Sequence, residues 1–433
     1  MNNLDLFVVV IAAMVVIILM AQICGKLITY IGQPRVVGEM VSGVLLGPTL
    51  FGSIWPDLSS QLFSDEVKSV LFVLCNLGLS IYMFLIGMEI DYGLFKRSTL
   101  RQAGALSVTG TAVPFLLGGF AAWLYYDNFT GEGIEITTFV LYLGTAFAIT
   151  AFPMLARILQ EQNLVNTKIG VLSLLSASVQ DVISWILLSF VTAMAISKSY
   201  MGGIVTFAGA LLFVLVIGFL VRPVLVKICT ATEKDANLSQ GHLALVLALL
   251  LLSALATDYI GLYSVFGGFV LGLAIPRKPV FIEELATKLK DITLVMFLPL
   301  FFAFSGLNTN LLVFNNLAIA IPCLVILALS VSGKYGICTL TVKAAGYSWR
   351  EASAIGGLLN SRGLMELLIA NIGLLYGVIS QDLFSILVLM AIVTTLGAMP
   401  IYNLSMGVAS APTKVKKKLQ PVYNRDMGEK QLQ

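Results

Sequence analysis

The sequence predicts an all-α integral membrane protein of thirteen transmembrane helices, and three observations carry that expectation. The 26 Lys+Arg and 23 Asp+Glu amount to 11% of 433 residues, against roughly 25% in soluble domains. Residues of the set AVILMFWYC make up 58% of the chain, the mean hydropathy is +0.95, and apolar windows long enough to cross a bilayer recur throughout. The basic residues fall between those windows in an alternating way that only an odd number of crossings explains. Together they exclude a soluble enzyme, a nucleic-acid binder and a secreted disulfide scaffold.

Apolar windows bounded by charge or by Gly/Pro give spans 1 to 13 at residues 5–29, 36–52, 67–90, 102–126, 137–159, 168–196, 202–226, 239–259, 262–275, 291–306, 316–342, 350–377 and 382–407. Span 1 has no basic residue before it and is longer than a signal-peptide core, so it reads as retained. Spans 2 and 9 are short and rich in glycine. Span 5 holds the breaker Thr150-Ala-Phe-Pro153, and span 12 has Gly356, Gly357 and Gly363 around Asn360-Ser-Arg-Gly, so both are expected to be broken helices. The five cysteines are scattered, without C-x-x-C spacing, and read as buried packing residues. Trp55, Trp123 and Trp349 fall at span ends, where aromatic side chains anchor at the headgroups.

With the N-terminus outside and the C-terminus in the cytoplasm, 22 of the 26 basic residues lie on the inner side. Residues 409–433 then form a short basic cytoplasmic tail, and residues 1–408 a single multi-pass domain of a cytoplasmic membrane. Shifting the sequence by 229 residues pairs Tyr30, Ile31, Gly32, Val36, Gly38, Val41 and Gly43 with Tyr259, Ile260, Gly261, Val265, Gly267, Val270 and Gly272. The shift is seven spans, an odd number, so spans 1 to 6 and 8 to 13 are expected to form two inverted-topology repeats, with span 7 between them. Inverted repeats are characteristic of secondary transporters, whose site lies near the midplane where equivalent broken helices cross.

Five ionisable residues remain inside spans: Glu39, Asp181, Lys334, Arg362 and Glu366. Each is costly in hydrocarbon and needs a partner, a cavity or a function. Asp181 lies about thirteen residues into span 6, with Gln180 beside it and Ser178 and Ser184 three residues away on its own face. A lone carboxylate among hydroxyls and an amide suits an alkali cation, a hard ion that takes oxygen ligands. The alternative is an Asp neutralised by a cation from another helix. Lys334 pairs with Asp181, pairs with a helix C-terminus, or cycles its own proton; the sequence leaves all three open. Arg362 and Glu366, at i and i+4, can form an internal ion pair. Glu39 reads as solvated at a funnel mouth, and His242 as an interfacial residue without a role.

These segments also resemble a known family. Gly32-Gln-Pro-Arg-Val-Val-Gly-Glu-Met-Val-Ser-Gly43, Phe84-Leu-Ile-Gly-Met-Glu-Ile-Asp91, Ala148-Ile-Thr-Ala-Phe-Pro153, Gln180-Asp181, Phe301-Phe-Ala-Phe-Ser-Gly-Leu307 and Asn360-Ser-Arg-Gly-Leu-Met-Glu366 are similar to the monovalent cation:proton antiporter superfamily, in the branch of bacterial potassium-efflux antiporters and plant cation/proton exchangers. The resemblance implies a homodimeric elevator-type antiporter without a cofactor, whose substrates are protons and K+ or Na+. Its dimerisation panel would be spans 1–3 and 8–10, and its moving core spans 4–6 and 11–13. By position, Asp181 resembles the ion- and proton-binding aspartate, with Gln180, Ser178, Ser184 and Thr150 around it. Lys334, Arg362 and Glu366 would form the core charge network, and Pro153, Asn360, Ser361 and Gly363 the broken-helix motifs. Electrogenic relatives carry an acid where this chain has Gln180, so one-for-one electroneutral exchange is expected. Efflux systems carry a nucleotide-binding regulatory domain; this sequence shows none, and ligand gating of that kind is not expected. A sodium-coupled solute symporter on a related inverted-repeat fold and a non-transporting membrane sensor are the alternatives.

Overall fold

The structure is a computed structural model that describes residues 3–89, 97–165, 167–197, 200–262 and 264–407. Asp91, Lys96, Lys198 and the basic tail lie outside the described residues. Those described are helical apart from connections and one isolated antiparallel bridge, Thr130 to Ile379. Among the described residues, ten helices are long and apolar enough to cross a membrane. Three shorter apolar helices, Ile136–Ala148, Ser264–Ala274 and Met365–Leu375, lie in spans 5, 9 and 12.

Local sequence explains many of the ends. Span 8, Gln240–Ile260, opens at Ser239, whose hydroxyl accepts from the His242 amide, and closes at Gly261 with φ 88°, a left-handed conformation that glycine adopts without steric cost. Span 12 opens with a reciprocal capping box between Ser348 and Glu351. Span 13, Gln381–Met406, opens at Ser380, whose hydroxyl accepts from the Leu383 amide. Spans 7, 10 and 11 each contain a five-residue π-helical turn, at Ile217–Val221, Thr293–Phe297 and Ser332–Gly336. Such turns rotate the following residues relative to a regular helix and recur at functional sites.

Without a hydrophobic drive between helices in lipid, close backbone packing needs small residues at the contact. Spans 2 and 10 meet at Gly43 and Gly306, where a Cβ on Gly306 would lie 1.9 Å from the Gly43 carbonyl carbon. Spans 9 and 3 meet in the same manner at Gly272 and Gly87, where a Cβ on Gly272 would lie 2.2 Å from the Phe84 oxygen. Gly38 of span 2 packs on the Cys24 carbonyl of span 1, and Gly267 of span 9 on the Ser253 carbonyl of span 8. Residues 24 and 253 differ by the same shift as residues 38 and 267. Spans 1–3 and 8–10 pack largely on one another, as do spans 4–6 and 11–13.

Two sequence expectations need correction. Glu39 is not solvated: it is 2% exposed, and its carboxylate lies 3.6 Å from Arg35 Nε one turn earlier. Burial of that turn against span 1 takes it away from water. Gly356 and Gly357 do not break span 12, for both lie inside the helix Trp349–Leu359. They let it approach its neighbours, Gly356 against Tyr335 and Thr339 and Gly357 against Ile401. All five cysteines are free and buried.

Candidate ion-binding site

Span 5 is two helices, Ile136–Ala148 and Phe152–Glu161, and span 12 is two helices, Trp349–Leu359 and Leu364–Leu375. The breaks are residues 149–151 and 360–363. Pro153 stands in the first turn of the second helix of span 5, where its missing amide hydrogen costs nothing. Each break exposes one helix C-terminus, with unpaired carbonyls and partial negative charge, and one N-terminus of opposite sign. Deep in a membrane those ends must be satisfied by protein.

Two cations satisfy the C-terminus in span 5. Arg362 Nη1 donates to the Ala146 carbonyl at 2.7 Å and Nη2 to the Phe147 carbonyl at 2.7 Å. Lys334 Nζ donates to the next carbonyl, Ala148, at 2.6 Å, and to Gly110 of span 4 at 2.8 Å. The structure therefore places Lys334 on a helix C-terminus, one of the three arrangements the sequence leaves open. The π turn at Ser332–Gly336 carries Lys334, and both cations are fully buried. Arg362 also forms the i, i+4 pair, Nη1 to Glu366 Oε2 at 2.7 Å, with both side chains wholly buried. Glu366 lies in the first turn of Leu364–Leu375, so its charge opposes the partial positive charge of that N-terminus. Thr395 of span 13 fixes the backbone of the break: its Oγ1 accepts from the Arg362 amide at 3.1 Å and donates to the Arg362 carbonyl.

Span 6 meets the other break. The Thr150 hydroxyl donates to Gln180 Oε1, and Gln180 Nε2 donates to the Leu106 carbonyl of span 4 at 3.4 Å. Gly110 leaves room for that amide, since a Cβ there would lie 3.0 Å from Gln180 Nε2. Asp181, next in sequence, is fully buried, as are Gln180, Ser184 and Thr150. Ser184 Oγ donates to the Gln180 carbonyl at 2.8 Å and Ser178 Oγ to the Leu175 carbonyl at 2.9 Å. Each hydroxyl so spends its hydrogen on its own helix and keeps lone pairs for an acceptor role. Ser361 Oγ donates to the Leu358 carbonyl at 2.7 Å, whereas Asn360 Oδ1 is buried without a hydrogen-bond partner among the described residues. A Cβ on Gly363 would meet the Met154 side chain at 2.5 Å, which brings the second helix of span 5 against the break of span 12.

Three contributors escape sequence reasoning. The carbonyls of residues 146–148 carry no signature in the side-chain alphabet, whereas the Gly110 carbonyl is freed by Pro114 four residues on, which has no N–H to donate to it. Thr395, in the pair Thr394-Thr395 midway along span 13, is a polar signal that marks a partner for span 12. Tyr142 is a third: its hydroxyl donates to the Ile369 carbonyl at 2.8 Å and ties span 5 to span 12 beside the ion pair.

Replacing Lys334 by Met keeps the length of the side chain and removes its donors. The carbonyls of Ala148 and Gly110 would be left bare, at about 1 to 3 kcal/mol for each buried acceptor without a partner. The purified variant should melt clearly below the parent chain in the same detergent; an unchanged melting point would mean that water replaces the ammonium at both oxygens.

A family model described as the transmembrane sodium/hydrogen exchanger matches residues 11–401. The chain is 36% identical over 393 residues to the Na(+)/H(+) antiporter NhaS4 of Synechocystis, covering 90% of this chain and 96% of that protein. It is 36% identical over 364 residues to Cation/H(+) antiporter 15 of Arabidopsis thaliana, with 84% of this chain and 44% of that protein covered. With K(+)/H(+) antiporter 1 of Saccharomyces cerevisiae it shares 33% identity over 391 residues, 86% of this chain and 43% of that protein. The chain thus spans nearly all of the cyanobacterial relative and less than half of the plant and yeast ones. Its fold is similar to that of the sodium proton antiporter MjNhaP1 from Methanocaldococcus jannaschii at pH 8, with a TM-score of 0.65, 16% identity, and 95% of this chain and all of that one covered.

Proposed function

This chain belongs to the sodium/hydrogen exchanger family of cation/proton antiporters, and we propose that it exchanges K+ or Na+ for H+ across a cytoplasmic membrane, with both ions competing for Asp181. The observation that carries this reading is the placement of a fully buried carboxylate directly beside Gln180, whose amide reaches Thr150 in the break of span 5. Ser178, Ser184, Gln180 and Thr150 supply neutral oxygens for a dehydrated alkali cation near that carboxylate. A bound cation or a proton neutralises Asp181; the empty anion carries a desolvation cost that holds the site back from crossing the apolar barrier. Antiport follows when only the neutralised site crosses.

Several observations support the finer features. The three short apolar helices, added to the ten long ones, support the reading of thirteen crossings, and the distribution of basic residues favours N-terminus outside and C-terminus inside. Gly43 and Gly272, which the 229-residue shift pairs, both sit at close backbone contacts, span 2 on span 10 and span 9 on span 3, and this supports the reading of two inverted repeats. Lys334, Arg362, Gln180, Tyr142 and Thr395 bind spans 4, 5, 6, 11, 12 and 13 to one another. That network suits a core moving as one piece, in elevator fashion, against a panel of spans 1–3 and 8–10, with span 7 as linker. The homodimer rests on the family resemblance; the exposed Phe7, Ile11, Val15 and Leu19 of span 1 offer an apolar face that lipid would cover equally well. Membership of a family whose named relatives are antiporters weighs against the symporter and sensor alternatives.

The stoichiometry follows from counting carboxylates. Position 180 is Gln, so Asp181 holds one proton or one monovalent cation, and one-for-one exchange moves no net charge. Each uncompensated charge would draw about 2.3 kcal/mol per 100 mV. In proteoliposomes with K+ or Na+ offered in turn, the reversal point of exchange should be the same at zero potential and at a strongly negative one. A shifted reversal point would show net charge movement and make Lys334 the first residue to test as a second proton carrier.

A further inference from the structure

Apart from the ion site, a groove of about 560 Å³ opens between spans 6, 7 and 9. Its walls are Phe207, Leu211, Ile217, Phe269 and Leu273 with their apolar neighbours, and among the described residues the only polar side chains lining it are Arg222 and Arg277. Both arginines are exposed, and both belong to the inner-face cluster of basic residues. Arg277 also donates to the carbonyls of Gly87 and Met88 at the end of span 3, which fixes its position at the rim. The π turn Ile217–Val221 forms part of the wall. From Phe207 to Arg222 the helix runs about 22 Å, more than the ~15 Å hydrocarbon depth of one leaflet.

A cation route through this groove would pass two guanidiniums and, among the described residues, no carboxylate, hydroxyl or amide side chain, which disfavours it as an entry to Asp181. A free inorganic anion would use the arginines and gain nothing from the apolar wall. The geometry points to an anionic phospholipid of the cytoplasmic leaflet, with one acyl chain along spans 7 and 9 and its phosphodiester on Arg222 and Arg277. Guanidinium groups suit phosphate because they present paired donors and are weakly hydrated, and basic pockets between membrane helices attract anionic headgroups. From the antiport reading this inference takes only the cytoplasmic position of the two arginines.

The test reads binding and not flux, so its failure leaves that reading intact. The full chain, extracted from phosphatidylcholine bilayers doped with phosphatidylglycerol, is examined by native mass spectrometry for lipid that survives stripping. Phosphatidylglycerol should be retained over phosphatidylcholine, and inorganic phosphate should not displace it. Arg222→Glu removes one positive charge and adds a negative one; at about fivefold for each charge step near the surface, it should weaken retention about 25-fold. Gly218→Phe tests the wall separately: Gly218 lines the groove, and a Cβ there meets nothing within 4 Å, so the ring should displace the acyl chain while both arginines stay. Equal retention of the two lipids, displacement by inorganic phosphate, or undiminished retention by both folded variants would overturn the proposal.

Discussion

Asp181→Asn should abolish cation-driven proton movement in proteoliposomes while leaving a folded, monodisperse protein. Asn matches Asp in size and hydrogen-bonding reach, so the packing of span 6 against the break at Thr150 survives. It removes an ionised group from the middle of the membrane, a position where Asp costs about 2.5 to 3.5 kcal/mol on insertion scales, so the variant should be at least as easy to insert and as stable as the parent. What it loses is titration: a carboxamide takes up no proton in the working range and offers a cation a dipole in place of a charge. Proton flux should fall to that of empty vesicles with Na+ and with K+ alike, because the two ions use one carboxylate. Robust exchange by the folded variant would move the site elsewhere in the protein. A variant that fails to fold would instead show that the charge of Asp181 serves the architecture, and that result would count against the proposed role.

Much of this arrangement is legible in the sequence because lipid makes charge and backbone breaks conspicuous. A break needs residues that leave the helix, and Thr150 to Pro153 and Asn360 to Gly363 announce it. Arg362 and Glu366 are spaced one turn apart, and the pair forms as that spacing allows. Glycine shows where spans approach, yet at Gly356 and Gly357 it was equally consistent with a break, and only the packing against Tyr335, Thr339 and Ile401 decides. The partner of Lys334 was beyond the sequence for a different reason. It is two backbone carbonyls, Ala148 at the helix end created by the break and Gly110 inside span 4, reached by an ammonium carried on a π turn at Ser332–Gly336, and no side-chain pairing in the sequence points to them. Glu39 shows the third limit: its i, i+4 neighbour Arg35 was visible, but burial of that end of span 2 is set by tertiary packing against span 1.

The ion pair Arg362–Glu366 should behave as a unit with unequal halves. Breaking a buried pair by removing one partner costs about 3 to 5 kcal/mol, because the other charge is left uncompensated. The two removals are not equivalent here. Glu366→Gln leaves Arg362 with the carbonyls of Ala146 and Phe147, a helix C-terminus whose partial negative charge still favours a cation. Arg362→Met leaves a bare carboxylate and strips both carbonyls of their donors, so it should be the more damaging single change in both melting temperature and expression. The double variant should recover much of the loss of Arg362→Met, since the uncompensated carboxylate is gone, yet remain below Glu366→Gln because the two carbonyls are still bare. The measurement is a double-mutant cycle of thermal unfolding on the purified proteins in one detergent. If the two single effects simply add, the pair is not an energetic unit, and the 2.7 Å contact would be a consequence of where the helix end holds Arg362 and not a reason that the break is stable.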